Sequence, residues 1–398
     1  MSRSILFRHE VALREAIPAD DRIVAVKVAT IGAAVPEPIV FADWVMRERE
    51  FALVRVESEG GHVGHAFTLT RDGPVAAVIR KTIAHHYVGK PLVDPEQLFH
   101  AAQLASLSVH VSGVGLRALS IVDLATWDVA ARAAGLSIAE LLSGRPLTAR
   151  QPVTAIIGYP PSIGGAGVAA QVEQLYTEGW RRFKLPIAAT PELTRERFHA
   201  AREAAPDPSV HIAMDAAWVF RDVDSAAALV ESFDHDLGWY EDVFPPGDAG
   251  IVRALRDRLD VPVAMGDEQG GAYFPEALIQ AGAVDIVRLD ATCMGGLTTL
   301  RRMIDQVETA GLVFTPHMFA HVHSQLMGAL GHHDAPIEWG VPWTGVDPYA
   351  DSLAQPQVSD GRMAPLHEAE LGFGPVVNAA WLREQRVDDP DGILDDLQ

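Results

Sequence analysis

Seven ionisable residues close short apolar runs in the second half of this sequence. They are Lys184 in "RRFKLP", Asp215 in "HIAMDA", Glu241 in "LGWYED", Asp267 in "VPVAMGDE", Asp290 in "DIVRLD", His317 in "LVFTPH" and Glu338 in "APIEW". Consecutive members lie 21 to 31 residues apart, the length of one strand-plus-helix unit. A single acid at a strand end is usually a helix N-cap or a solvated loop residue. Seven in register are better explained by convergence on one mouth. Three carboxylates brought together are costly unless a cation neutralises them, so Asp215, Glu241 and Asp267 imply a metal. Oxygen ligands without cysteine favour a hard ion, Mg²⁺ first and Mn²⁺ second. Asp290 and His317 fall on successive runs, where a carboxylate can hold one imidazole nitrogen and raise the basicity of the other, which makes a general base. Glu338 is either an acid near the substrate or a cap.

The elements that must position these residues read as a (β/α)8 barrel. After Arg150, eight β-rich runs alternate with mostly helical ones such as "AGVAAQVEQLYTEG". An open doubly wound sheet is the alternative, but its glycine-rich phosphate fingerprint is missing. Upstream, period-2 apolar residues (Ala52, Val54, Val56) precede "EGGHVG" and suggest an antiparallel hairpin sheet. A helical stretch from Val75 to Leu142 then stops at Gly144, and together these make an α+β unit. The expected fold class is therefore α/β, a TIM-type barrel with an α+β capping domain. The expected boundaries are 1–148 for the cap, 149–360 for the barrel and 361–398 for a segment returning to the cap.

Composition narrows the function class. The 398 residues are 48% hydrophobic and 21% charged, as in an ordinary globular protein. Glu10 and Glu15 interrupt any signal-peptide core, and the lone Cys293 can form no internal disulfide. A cytoplasmic location is expected. A net charge of −21 argues against nucleic-acid and membrane partners. It leaves room for a small carboxylate substrate, provided a cation and nearby basic side chains reverse the local field.

Taken together, the motifs resemble the enolase superfamily in its mandelate racemase group. "SIVDLATWDVAARAAGLSIAELLSG" is similar to the helical signature ending that family's capping domain, and "GWRRFKLP" to its second-strand motif Gly-aromatic-x-x-x-Lys-x-Lys. "MDAAW", "YEDVFPP", "GDEQ", "DIVRLDATCMGGLTTL", "TPH" and "PIEW" follow in the family's order. The resemblance implies that Asp215, Glu241 and Asp267 bind Mg²⁺ and that Asp290 and His317 form the base dyad. It also implies that Glu338 hydrogen-bonds an enolate and that Lys184 stands near the substrate carboxylate. Glu268, next to Asp267, is a less favoured alternative ligand. Pro186 stands where a racemase carries its opposite-face lysine, and proline transfers no proton. One base is enough for β-elimination, so the resemblance implies a dehydratase of an aldonate-like sugar acid, with Lys-x-Pro as in rhamnonate-type dehydratases. An epimerase, racemase, cycloisomerase or non-catalytic relative is the alternative. His321, His323 and Trp44 are expected to line the substrate pocket, although packing or a solvated loop would explain them equally. The family further implies a homo-oligomer, a dimer or an octamer.

Overall fold

The protein is described by a computed structural model that covers residues 8–41, 44–268, 271–344, 346–347, 357–365, 370–374 and 377–397. Its N-terminal part is built on a long antiparallel hairpin, β1 (Ile23–Phe41) and β2 (Trp44–Ser58), extended by β3 (Val63–Leu69). Alternation sorts the side chains of β2. Phe51 and Leu53 face the barrel and cluster with Ile156, Met318 and Phe319, while Ala52, Val54 and Val56 face the cap's own helices.

The helix Gly113–Ala133 is the centre of the cap and packs against its strands, its helices and one barrel helix. Every residue from Gly115 to Ala131 is buried, so this helix has neighbours on every side. Its polar residues tie these neighbours together. Asp123 accepts from the Thr298 backbone N–H (3.0 Å) and hydroxyl (2.8 Å) of the barrel, and Ser120 Oγ accepts from the Gly295 N–H at 2.7 Å. Asp128 accepts from the His65 N–H of β3 at 2.9 Å and from the Phe373 N–H of the C-terminal segment at 2.8 Å. β3 approaches so closely that a Cβ at Gly64 would lie 2.3 Å from Val129 N and 2.4 Å from Ala125 O, which leaves room only for glycine. The following short helix, Ile138–Ser143, begins with a capping box between Ser137 and Glu140 and ends at Gly144 in the left-handed region.

The second part is a barrel of parallel strands: β4 (Gln151–Ile156), β5 (Arg182–Pro186), β6 (His211–Asp215), β7 (Tyr240–Glu241), β8 (Val263–Met265), β9 (Ile286–Leu289), β10 (Val313–Pro316) and β11 (Ile337–Gly340). Each strand from β4 to β10 pairs with the next, and β11 pairs back onto β4. β10 and β11 lie side by side, with no ladder between them among the described residues. Helices follow β4 to β10 and cover the outside. A small hairpin, β12 (Val358–Ser359) and β13 (Arg362–Met363), adds to β4, and β14 (Arg386–Asp388) then pairs antiparallel with β1, carrying the chain back to the capping sheet. No described helix is long and apolar enough to cross a membrane.

Candidate active site

The barrel strands deliver their side chains to a cleft of about 240 Å³ between the barrel mouth and the capping sheet. The turns that leave the strands are under backbone constraint. Ala217, Trp218, Asp242, Glu268, Met318 and Phe319 all have φ between 44° and 58° without being glycine. Such residues are costly and concentrate where a surrounding site holds them in place. Here the effect is to turn neighbouring side chains inward together. Asp242 follows Glu241 and Glu268 follows Asp267, and in regular strands each pair would point to opposite faces.

At one end of the cleft is a cluster of acids braced by two cations. Lys184 Nζ lies 2.9 Å from Glu241 Oε1 and 3.4 Å from Asp215 Oδ2, and it also pairs with Glu338. Burial alone would lower the Lys184 pKa, but Glu241, Glu338 and Asp215 raise it well above its ordinary value, so it stays charged. Arg288 Nη2 lies 3.2 Å from Glu241, 3.3 Å from Asp267 and against Glu338. The Ala217 N–H donates to Asp215 Oδ1 (2.9 Å), and the Trp239 indole donates to Glu241 Oε2 (2.7 Å). Glu241, Asp242 and Asp267 each offer an oxygen within 4.8 Å of the others. Asp215 faces the same cleft and reaches them through Lys184. Burial and the charges of Asp267, Glu241 and Asp215 push the Asp242 carboxyl well above the usual carboxylate range, and its Oδ1 is buried with no hydrogen-bond partner. Crowded, under-satisfied oxygen donors of this kind fit a hard divalent cation.

Beside this cluster is the dyad. His317 Nδ1 is 3.0 Å from Asp290 Oδ2, and the fully buried Asp290 accepts from the Thr292 N–H through Oδ1 at 2.7 Å. Nε2 of His317 is then the nitrogen available to a molecule in the cleft. Burial acts to lower the His317 pKa, but Asp267, the Asp290 hydrogen bond, Glu268 and Glu338 outweigh it and push it up to about 9. Glu268 sits with Asp290 and His317. Its carboxylate is held by Arg71 Nε (3.1 Å) and Arg117 Nη2 (3.2 Å), which keep it below its usual range despite burial. The alternative ligand therefore belongs to the histidine side of the cleft and not to the acid cluster. Glu338 is likewise held low against burial, by Lys184, Arg288 and His317. It pairs with Lys184 and accepts from Arg288 and from the Met318 N–H at 3.3 Å.

Two pocket expectations are corrected. His323 is wholly buried and lines no part of the cleft. Its Nδ1 donates to Met318 O (2.8 Å) and its Nε2 accepts from the Ala291 N–H (3.1 Å), so both nitrogens support the backbone around the dyad. His321 stacks on Phe67 of the capping sheet at 5.2 Å between centroids, and burial, with His323, pushes its pKa down to about 3. It is a packing residue. Trp44 pairs with Phe41 in the hairpin, and its side chain lies outside the described residues.

Several residues at the cleft escaped the sequence reading. Arg288 had a usable signal, since it lies two residues before Asp290 and period-2 alternation puts both on the inner face. Asp242 had none, because its orientation depends on a positive φ. Arg49 and Arg71 approach from the capping sheet, and only the assembled fold says which cap residues look into the barrel.

Comparison with known proteins decides the family. The family model for the Mandelate racemase / muconate lactonizing enzyme N-terminal domain matches residues 23–143, and that for the Enolase C-terminal domain-like region matches residues 167–381. The chain belongs to the enolase superfamily, in its mandelate racemase group. Among relatives of this enolase-superfamily protein, the L-talarate/galactarate dehydratase of Salmonella typhimurium LT2 is 25% identical over 94% of both chains. The D-galactarolactone cycloisomerase of Agrobacterium fabrum C58 is 24% identical over 75% of this chain and 79% of its own. The Salmonella dehydratase solved with Mg and L-lyxarohydroxamate superposes with a TM-score of 0.81 at 23% identity, covering 93% of this chain and 95% of that one. Mg²⁺ is the cofactor of this superfamily, and the acid cluster suits it.

Proposed function

We propose that the protein dehydrates a sugar acid to a 2-keto-3-deoxy acid. His317 removes the proton α to the carboxylate, Asp290 holding the imidazole in the required tautomer. The carbon–oxygen bond at the β position then breaks, the imidazolium returns the proton to the departing hydroxide as water, and the enol ketonises. Lys184, fixed by Glu241, Asp215 and Glu338, presents a cation to the oxyanion that develops at the carboxylate. Asp215, Glu241 and Asp267, with Asp242 nearby, would hold Mg²⁺, which when bound would supply further positive charge to the developing oxyanion.

The observation that carries the reading is the buried His317–Asp290 pair at 3.0 Å, with His317 lining the same cleft as Lys184 and with Pro186 in place of a second base. The named dehydratase among the relatives supports it. The cycloisomerase relative favours a second reading in which the same proton is abstracted but the leaving group is a lactone carboxylate. A screen of the Mg²⁺-loaded protein against aldonic acids, aldaric acids and their lactones, reading 2-keto acid formation, tests both. A 2-keto-3-deoxy acid from an open-chain acid supports dehydration, activity confined to lactones supports the second reading, and no product from any member counts against both.

A further inference from the structure

We propose that Arg49 is the anchor for a second carboxylate on the substrate, so that the acid taken is a diacid of the aldaric type; this rests on the sugar-acid reading above. Arg49 lies on β2 on the same face as Phe51 and Leu53, which pack with Ile156, Met318 and Phe319 at the barrel mouth, and it lines the cleft from the cap side. It is 8% exposed, its Nε is buried with no hydrogen-bond partner, and its guanidinium forms no ion pair among the described residues. The acids flanking it in sequence are unavailable. Glu48 and Glu50 point to the opposite face of the strand, where both pair with Arg386.

The other cations at the cleft are already matched. Lys184 has Glu241, Asp215 and Glu338, and Arg71 has Glu268. A buried guanidinium without a counter-ion is unfavourable, and its planar fork suits a carboxylate held by two parallel hydrogen bonds. The cleft thus offers cations from two sides. Lys184, among the acids of the barrel, takes the carboxylate next to the reacting carbon, and Arg49, on the capping sheet, takes the second carboxylate. A monoacid fills only the first and leaves Arg49 as it is.

The test is calorimetric titration of the Mg²⁺-loaded His317→Asn protein, in which turnover does not intervene, with every hexaric acid stereoisomer and its matched hexonic acids. The expected result is at least one diacid that binds more than about 10-fold tighter than its hexonic partners. Adding Arg49→Gln should weaken that diacid by about 10- to 100-fold and the monoacid by no more than about 3-fold. Arg49→Lys keeps the charge but loses the fork, and should retain part of the margin. Should Arg49→Gln fail to fold, Arg49→Lys decides alone: an undiminished margin contradicts the proposal. The proposal is also overturned if no diacid binds more tightly than its monoacids or if the margin survives Arg49→Gln. A diacid that binds through Arg49 but yields no keto product with the parent enzyme removes the dehydratase reading and leaves the anchor standing.

Discussion

Asp290 is buried on the far side of His317 from the cleft, and its two oxygens are divided between the imidazole and the Thr292 N–H. A base so positioned is worth roughly 10²–10⁴ in rate, so His317→Asn should lower kcat by at least about 10²-fold with little change in KM. Asp290→Asn, which keeps the shape but no longer demands the Nδ1–H tautomer, should cost about 10²-fold or more, measured in the same steady-state assay. The pH dependence has a definite sign. His317 must be neutral to take a proton, and the surrounding acids hold its pKa above the ordinary value, at about 9 without metal. Activity should therefore fall as pH is lowered, with its inflection alkaline at low Mg²⁺ and moved toward neutrality as Mg²⁺ saturates and offsets those acids. A pH–rate profile at two magnesium concentrations checks this. At this scale the sequence was most informative about residues ending strands: Lys184, Asp215, Asp267, His317 and Glu338 line one cleft, and Glu241 and Asp290 stand directly behind it. It was least informative about Asp242, His321 and His323, whose roles depend on a backbone angle or on which face of a helix meets the cap.

The Gly113–Ala133 helix transmits the cap's position to the barrel, and two substitutions probe it. Gly64→Ala forces a Cβ into the backbone of Val129 and Ala125. Overpacking against main chain costs about 1–3 kcal/mol or more, so a lower urea midpoint with an unchanged slope is expected. Asp123 is buried where it accepts from Thr298, and burial raises its carboxyl to about 7 from the usual 3.8. The folded state therefore binds a proton that the unfolded chain has released. Its stabilising contribution is complete below about pH 4 and is lost as pH rises to about 7, amounting to as much as about 4 kcal/mol. Asp123→Asn should flatten that part of the stability curve, as read by denaturant titration from pH 4 to 8. The pattern of strands and helices was legible because period-2 and period-3.6 runs differ over these lengths. The β1–β2 hairpin was harder to read, because charged residues such as Arg47 to Glu50 interrupt the apolar alternation of a strand that is continuous in the fold. The pairing of β14 with β1 joins residues more than 350 positions apart, and no local pattern encodes such a partner.

For the molecule as a whole, the proposed function depends on reversing a field. The chain carries a net charge of −21, yet the proposed substrate is an anion, and Lys184, Arg49 and Arg71 face the cleft with Arg288 behind the acids. On the proposed reading, Mg²⁺ held by Asp215, Glu241 and Asp267 would complete the reversal. At 100 times its Kd, Mg²⁺ should stabilise the fold by about 2.7 kcal/mol. This would appear as a rise in Tm that Asp267→Asn abolishes, and no rise in the parent protein would remove the metal from the account. The central claim is that one histidine takes the α-proton and that no second base answers it from the opposite face. The most direct measurement is turnover of a substrate identified in the acid screen, run in D₂O and followed by proton NMR. The account predicts 2-keto-3-deoxy acid formation that His317→Asn eliminates, with unreacted substrate of unchanged configuration throughout. Exchange of the α-proton with inversion and without keto product would contradict it, because inversion requires the second base that Pro186 has displaced.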